Sequence, residues 1–281
     1  MVADKKKKGI GRVITYIILT IVAFVCAFPF YWMLTSALKP KAEIRKLIPT
    51  MYPHAPTLEN FKTVLFQTGF SGYMKNSLIV ASATTLVSMV LAIMAGYALS
   101  RYYKRKFVRA ASMGMTVSQM IPGVLLLVPL YMIMFKLGML ESYFSLILAN
   151  STFVLPLSTF MMSSFFDTVP LELEESAEID GCGKVKTIVR IILPVSVPSL
   201  ISTGLYAFIS AWNEFLFAYV FLSTEKYRTI TPAIKLFKGV NTTNWGALTA
   251  ASVLGVVPIT LIFMFLQKYF IAGLMSGSVK G

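Results

Sequence analysis

The sequence predicts an all-α membrane protein with six transmembrane helices and a two-helix loop on the cytoplasmic side. Of its 281 residues, 56% are hydrophobic and only 14% are charged, and long apolar runs recur along the chain. A soluble domain carries about 25% charged residues, whereas a helix of about 20 apolar residues crosses a ~30 Å hydrocarbon layer. The predicted spans are residues 13–37, 76–100, 110–135, 143–166, 198–222 and 247–271.

Basic residues next to the first two spans predict the topology. One group precedes the first span and another follows the second: Lys5, Lys6, Lys7, Lys8 and Arg12, then Arg101, Lys104, Arg105, Lys106 and Arg109. Such groups mark the cytoplasmic side, so we expect both termini there. The first apolar run is too long for a signal peptide and lacks a small-residue cleavage site, so we expect it to be retained. The predicted organisation is a basic tail (1–12), a membrane domain (13–272) and a cytoplasmic C-terminal tail (273–281).

Several function classes are excluded by the positions of the polar residues. The net charge of +14 does not predict nucleic-acid binding, because the cations lie beside spans and no nucleic-acid-binding module is present. Cys26 and Cys182 are not expected to pair, and no spacing predicts a metal site. His54, the only histidine, is expected to be a surface residue. The spans lack the paired carboxylates and clustered histidines of a membrane-embedded enzyme.

The most informative segment is the acidic loop, residues 167–194, which holds six of the 12 acidic residues. Pro170 is suited to the start of a helix, and acidic residues favour a helix N-terminus. Gly181 supplies the left-handed residue that often follows a helix. A second short helix is predicted over Lys184–Ile192, ending at Leu193-Pro194.

The size and pattern of the acidic loop favour a docking element. A plain connection between spans needs only a few residues, and this loop also carries an apolar stripe formed by Leu171, Ile179, Val185, Ile188 and Ile192. An exposed apolar face rimmed by charge is typical of a partner surface. A solvated connection without a partner remains the alternative.

The acidic loop resembles a known signature at this point. Glu175-Ser176-Ala177, then Gly181, then Ile191-Ile192-Leu193-Pro194 is similar to the coupling loop of ABC importer permeases. That signature reads Glu-Ala-Ala, three residues, Gly, nine residues, Ile-x-Leu-Pro, and only Ser176 departs from it. Three further segments resemble the carbohydrate (maltose-type) branch, and within it the second, shorter permease: Asn76-Ser77-Leu78, Trp212-Asn213-Glu214-Phe215 and the terminal Gly273–Gly281.

The resemblance implies a type I ABC importer permease fold and a permease subunit of a heteromeric, ATP-driven carbohydrate importer. The implied partners are a second, different permease, two ATPase subunits, an extracytoplasmic sugar-binding protein and membrane lipid. The implied location is the inner cell membrane of a prokaryote. No phosphate-binding Gly-x-x-x-x-Gly-Lys-[Ser/Thr] motif occurs, so we expect no cofactor on this chain, with ATP and Mg bound by the ATPase and no enzymatic activity here.

The resemblance also assigns site residues. ATPase contacts are implied for Glu175, Ser176, Ala177, Glu178, Asp180 and Gly181, where Ala177 would allow close approach and Gly181 the turn. Further ATPase contacts are implied for the tail residues Leu274, Ser276 and Gly277. The outer loop, residues 223–245, would reach the binding protein through Gly239, Val240, Asn241, Thr242 and Thr243.

Glu214 is the one acidic residue predicted inside a span. A carboxylate in that position is costly and suggests a functional site, so Trp212, Asn213 and Glu214 are candidates for the substrate path. A structural hydrogen bond, or a position at the span end, is the alternative for Glu214. Two alternative functions are an ion-gradient-driven secondary transporter, which usually shows internal repeats, and a glycerol-phosphate-type importer permease, which needs a basic lining.

Overall fold

The protein is helical throughout, without a β-strand in the residues described. The computed structural model describes the backbone of residues 2–239 and 242–278 and the side chains of 12–239 and 242–268. The α-helices are α1 (Val2–Ala37), α2 (Lys41–Ile44), α3 (Glu59–Gln67), α4 (Phe70–Tyr102), α5 (Lys106–Gln119), α6 (Leu127–Lys136), α7 (Tyr143–Phe166), α8 (Glu172–Ile179), α9 (Lys184–Thr187), α10 (Leu193–Val195), α11 (Val197–Trp212), α12 (Leu216–Phe221), α13 (Ile230–Lys235) and α14 (Trp245–Ser278).

Four of the described helices are long and apolar enough to cross a membrane, and six spans result if two bent pairs count as one span each. The predicted spans 13–37, 76–100 and 247–271 lie within α1, α4 and α14, and 143–166 coincides with α7. These four segments were predictable because each is one uninterrupted apolar run.

The predicted span 110–135 is not one straight helix. The chain is helical over α5, stops, and resumes at a 3₁₀ turn, Gly123–Leu126, that leads into α6. The two parts are bent by 99°. Pro122 directly precedes the second part, and a proline in this position disfavours helical geometry in the residue before it. The apolar Met120 and Ile121 concealed the break in the sequence.

The predicted span 198–222 is also divided. Helix α11 ends at Trp212 and α12 begins at Leu216. The two helical segments that together are long and apolar enough to cross a membrane are Lys184–Val195 and Val197–Trp212, and they are bent by 85°. Leu193-Pro194 therefore does not end the second loop helix as predicted. Pro194 lies in α10, directly after the π-helical turn Ile188–Ile192, and the bend falls at Ser196.

The chain forms two compact units, Met1–Phe70 with Ile234–Val257 and Ser71–Ala233 with Pro258–Gly281. In the first, the buried Asn60 amide donates to the carbonyls of Ala37 and Lys39 at 2.9 Å each. These bonds fix the start of α3 against the end of α1.

Two apolar clusters lie among the described residues of the second unit. One is centred on the buried residues Val80, Leu146, Phe217, Phe221 and Leu222. The other joins the last third of α4, the end of α7 and the acidic loop through Ala92, Tyr97, Met162, Phe166 and Ile192. The second cluster is the base on which the acidic loop rests.

Candidate functional site

Helix α8 of the acidic loop has two faces of different chemistry. Ala177 is 3% exposed, and Glu174 lies three positions earlier on the same, inward face. The rest of the helix surface and the residue after it are exposed and carry the polar residues predicted for partner contacts: Glu175, Ser176, Glu178 and Asp180. The side chain of Ala177 is buried within this chain, and its implied role in allowing close approach of an ATPase stays a prediction. Ser176, which departs from the signature, donates its hydroxyl to the Glu172 carbonyl at 2.7 Å.

Gly181 ends α8 as the sequence predicts. Its φ is +76°, a left-handed conformation that residues with a Cβ adopt at a cost. The N–H of Cys182 bonds the Ala177 carbonyl at 2.8 Å, and the N–H of Gly181 bonds the Glu178 carbonyl at 3.0 Å. This pair of bonds is a Schellman motif, so the turn between the two helical segments is closed and rigid.

The predicted apolar stripe divides between the two sides of the loop. Ile179 and Val185 are 86% and 76% exposed, and Leu171 is also exposed. Ile192 is fully buried and Ile188 packs beside it in the second apolar cluster. Ile188 and Ile192 are the first and last residues of a π-helical turn, Ile188–Ile192.

The inward face of α8 is attached to α4 by a set of contacts that we name the α4–α8 clamp: Tyr97, Arg101 and Glu174. Arg101 Nε donates to Glu174 Oε1 at 2.7 Å, and the Tyr97 hydroxyl donates to Glu174 Oε2 at 2.6 Å. Arg101 Nη2 also donates to the Val169 carbonyl at 3.0 Å. Both carboxylate oxygens of Glu174 are thus satisfied.

Two contacts extend the attachment on either side of the clamp. The Ser100 hydroxyl donates to Asp167 Oδ1 at 2.5 Å, at the beginning of the acidic loop. Lys184 Nζ donates to the Tyr102 hydroxyl at 2.9 Å, at the start of α9. The last six residues of α4 therefore contact the loop at three places, Asp167, Glu174 and Lys184.

Sequence reasoning did not identify the clamp. Glu174 and Glu175 are adjacent, and the sequence alone does not show which one faces inward. One signal was present: Ala177, the small residue that would be buried, lies three positions after Glu174, on the same helix face. The partner, Arg101, is 73 residues away and was counted only as a basic residue that indicates topology.

A second polar network holds the segment between α12 and α13. The Asn76 amide donates to the carbonyls of Lys226 and Arg228 at 3.0 and 2.8 Å and accepts from the Tyr143 hydroxyl at 2.7 Å. The N–H of Ile230 donates to the Ser77 hydroxyl oxygen. Asn76 and Ser77, noted above only for resemblance, thus fix the beginning of the outer loop to the start of α4.

Glu141 holds the same segment from another side. Its carboxylate accepts from the N–H groups of Ser223 and Thr224 at 2.8 and 3.1 Å and from the Thr224 hydroxyl at 2.7 Å. Burial opposes its ionisation, but these hydrogen bonds outweigh burial and lower the pKa of Glu141. Its φ of 55° is unusual for a residue with a side chain, and these bonds compensate for it.

His54 is more than the plain surface residue that the sequence predicts. Its ring is exposed but lies 3.3 Å from the carboxylate of Glu43, which is 6% exposed. The Thr50 hydroxyl donates to the same carboxylate at 2.7 Å, and the His54 N–H donates at 3.2 Å. The Thr50 bond and the His54 contacts together outweigh burial and lower the pKa of Glu43.

Backbone hydrogen bonds join two described parts of the outer loop before α14, residues 237–239 and 242–244. Asn244 N–H bonds the Phe237 carbonyl at 3.0 Å, and Gly239 N–H bonds the Thr242 carbonyl at 3.1 Å. A Cβ at Gly239 would lie 2.6 Å from that carbonyl oxygen, so this position requires glycine. A cavity of about 460 Å³ adjoins these residues. Of the predicted binding-protein residues, Val240 and Asn241 lie outside the described residues.

The three candidates for the substrate path occupy different environments. Trp212 is buried at the end of α11, and Asn213 is exposed. The Glu214 carboxylate accepts from the N–H groups of Phe217 and Ala218 at 2.8 and 2.9 Å, so it caps α12. Glu214 also lines a cavity of about 170 Å³ together with the buried Asn150. The structural alternative for Glu214, a helix cap, is therefore present, and the small cavity beside it is lined mostly by apolar residues such as Val124, Phe153 and Leu216.

The predicted tail is only partly described. The backbone of α14 continues to Ser278, through the predicted boundary at residue 273. The side chains of Leu274, Ser276 and Gly277 are outside the described set, and residues 279–281 are outside it entirely.

Comparison with known proteins gives consistent matches in sequence. Residues 88–275 match the family described as "Binding-protein-dependent transport system inner membrane component". The chain is 34% identical to the sulfoquinovosyl glycerol transport system permease protein SmoH of Agrobacterium fabrum, over 96% of this chain and 95% of that protein. It is 35% identical to the trehalose/maltose transport system permease protein MalG of Thermococcus litoralis, over 98% and 99%.

The fold also matches a solved transporter. A chain of a bacterial ABC transporter involved in the import of the acidic polysaccharide alginate superimposes with a TM-score of 0.79 at 18% identity, over 93% of this chain and 96% of that one. The predicted fold class, that of a type I ABC importer permease, is confirmed.

Proposed function

The chain belongs to the family of binding-protein-dependent transport system inner membrane components, and from this premise we propose that it is one of two permeases in an ATP-driven carbohydrate importer. It forms half of the translocation path beside a second, different permease. Two ATPase subunits and an extracytoplasmic sugar-binding protein complete the complex. The single observation that carries the proposal is the rigid acidic loop with one exposed face.

The exposed face of the acidic loop is the contact with an ATPase. It combines the carboxylates of Glu175, Glu178 and Asp180 with the exposed apolar side chains of Ile179 and Val185. Apolar side chains at the centre of a patch and charges around it are typical of interfaces between subunits. ATP and Mg are bound by the ATPase, and this chain supplies the surface through which nucleotide-driven motion enters the membrane helices.

Two further features support the import direction and the substrate class. In the outer loop, Phe237 and Gly239 are joined to Asn244 and Thr242 by backbone hydrogen bonds, which suits insertion of this loop into a binding protein. Relatives named for trehalose, maltose and sulfoquinovosyl glycerol all handle glycosides. A carbohydrate is therefore the proposed cargo, with Trp212, Asn213 and Glu214 on its path and both termini of the chain in the cytoplasm.

The test is purification of a tagged chain from its native membrane, followed by reconstitution into proteoliposomes. We expect an ATPase and a different permease to co-purify in fixed ratio. With the binding protein present, we expect uptake of at least one of radiolabelled maltose, trehalose and sulfoquinovosyl glycerol, dependent on ATP and insensitive to a protonophore. A chain that purifies alone or as a homo-oligomer, with uptake driven by an ion gradient, would overturn the proposal and favour the secondary transporter.

A further inference from the structure

The acidic loop has a third attachment besides its two covalent ones. The chain connects it to α7 at one end and, through α10, to α11 at the other. The α4–α8 clamp adds a non-covalent attachment to a helix that is distant in sequence. Motion applied to α8 therefore has a direct route to α4, in addition to the two routes along the backbone.

The clamp is shielded and fully paired. The side chains of Arg101 and Glu174 are 10% and 14% exposed, and the 2.7 Å bond between them is backed by the bonds from Tyr97 and to the Val169 carbonyl. A shielded ion pair resists separation, because removing one member leaves the other as a buried, uncompensated charge. An exposed ion pair, by contrast, is screened by water and holds its two partners together only weakly.

The spacing on α4 explains why one helix face serves the whole contact. Tyr97, Ser100 and Arg101 are at positions i, i+3 and i+4, which lie together on one side of an α-helix. The Tyr97 ring also packs edge-on against the Phe166 ring, with 6.1 Å between the ring centroids. The fully buried Ile192 belongs to the same apolar cluster. Polar and apolar contacts thus join the end of α4 to both ends of the acidic loop.

We propose that Tyr97, Arg101 and Glu174 are positioning residues for energy coupling: they make α4 move together with α8 when the ATPase closes. This inference rests on the proposed function, since it needs an ATPase at the exposed face of α8. It assigns coupling to a shielded glutamate and two residues of a membrane helix, none of which faces the ATPase.

The first test breaks the clamp without touching the ATPase contact. Arg101→Met and Glu174→Gln are compared with wild type, with the exposed Arg109→Met as matched control, and with the exchanged pair Arg101→Glu/Glu174→Arg. The readouts are the amount of co-purifying ATPase and the sugar transported per ATP hydrolysed, using the sugar with the highest wild-type uptake. We expect each single variant to retain the ATPase and to lose about tenfold or more in sugar per ATP, while the exchanged pair recovers most of it.

The second test replaces the clamp by a covalent bridge. In a background with Cys26→Ser and Cys182→Ser, Ser100→Cys and Asp167→Cys are joined by a short bis-thiosulfonate reagent, because these side chains are in contact. We expect the bridge to restore sugar per ATP in the Arg101→Met variant. A gain of stability alone would raise the amount of folded complex and leave this ratio unchanged.

The outcomes separate the two proposals. Absence of ATP-driven uptake in wild type overturns the proposed function, and the clamp's role with it. Normal uptake in wild type together with an unchanged ratio in Arg101→Met overturns only the clamp. A bridge that blocks uptake while ATP hydrolysis continues also overturns it, because α4 and the loop would then have to move apart during transport.

Discussion

Gly96 of α4 and Met162 of α7 lie so close that a Cβ added to Gly96 would be 2.8 Å from the Cβ of Met162. The same atom would be 3.0 Å from the carbonyl oxygen of Thr159 and 3.0 Å from the nitrogen of Ser163. Two of these three neighbours are backbone atoms, which cannot rotate away. The two helices therefore pack almost backbone to backbone, as is common where membrane helices meet through small residues.

Substitution of Gly96 by Ala is expected to destabilise the protein by about 1–3 kcal/mol, because an overpacked contact forces the helices apart. The matched control is Gly204→Ala, whose added Cβ would meet only side-chain atoms at 3.9 and 4.0 Å. Thermal unfolding of both variants in detergent, followed by size-exclusion chromatography, provides the comparison. Equal midpoints for the two variants would contradict the close approach.

The substitution Gly181→Val is expected to weaken binding of the ATPase while leaving folding and membrane insertion of this chain intact. The added Cβ would have no atom within 4 Å, so the penalty is backbone strain at φ +76°, which changes the course of the turn after α8. We expect loss of most co-purifying ATPase with a normal amount of inserted chain. Gly183→Val is the control, since Gly183 is also exposed and uncrowded but has an ordinary φ of −71°. If both variants lost the same amount of co-purifying ATPase, any bulky residue in this exposed loop would have the effect, and the left-handed turn at Gly181 would not be its cause.

The sequence predicted most of the fold because four spans are continuous apolar runs and Gly181 follows the last turn of α8. It did not predict the two bends, because the apolar pattern reports that a segment is buried or in lipid and carries no information on the direction of its axis. Residues Met120 and Ile121 continue the apolar run through a 99° change of direction. In this segment, Pro122 is the residue whose type indicates the bend.

The exposed residues of the candidate site were predicted from the sequence, but the buried contacts behind them were not. The exposed acidic residues of α8 follow from composition, whereas the inward position of Glu174 follows from its pairing with Arg101, 73 residues away. Contacts at this separation are set by how helices pack. For the same reason the sequence alone did not show that Ala177 is buried against the rest of this chain.

Glu141 is expected to make the stability of the protein dependent on pH in the acidic range. Its pKa is lowered in the folded protein, so its stabilising contribution is fully present above its unfolded pKa of about 4.3. That contribution is lost as the pH falls through the lower, folded pKa. Unfolding midpoints of wild type and Glu141→Gln should therefore differ at pH 7 and converge below about pH 4. The control is Glu225→Gln, whose side chain is 80% exposed, and a similar pH-dependent difference there would contradict the assignment.

Replacement of Asn76 by Ala is expected to loosen the outer loop beside α4. The change leaves the carbonyls of Lys226 and Arg228 and the Tyr143 hydroxyl without their partner, at a cost of about 1–3 kcal/mol for an unsatisfied buried group. Because Lys226 and Arg228 are trypsin sites, limited proteolysis reports the effect directly. Tyr143→Phe, which removes only one of the three bonds, should give a smaller increase in cleavage. Cleavage unchanged from wild type in Asn76→Ala would show that the loop is held by Glu141 and Ser77 alone.

Two substitutions at Glu214 distinguish a helix cap from a contact with the cargo. Gln retains one oxygen that can accept from the N–H groups of Phe217 and Ala218, whereas Leu retains none and should cost about 0.5–2 kcal/mol of stability. If Glu214 acts only as a cap, uptake should follow the amount of folded protein in both variants, with an unchanged KM for the sugar. A raised KM in Glu214→Gln at normal stability would instead assign Glu214 to the substrate path, beside the cavity that it shares with Asn150.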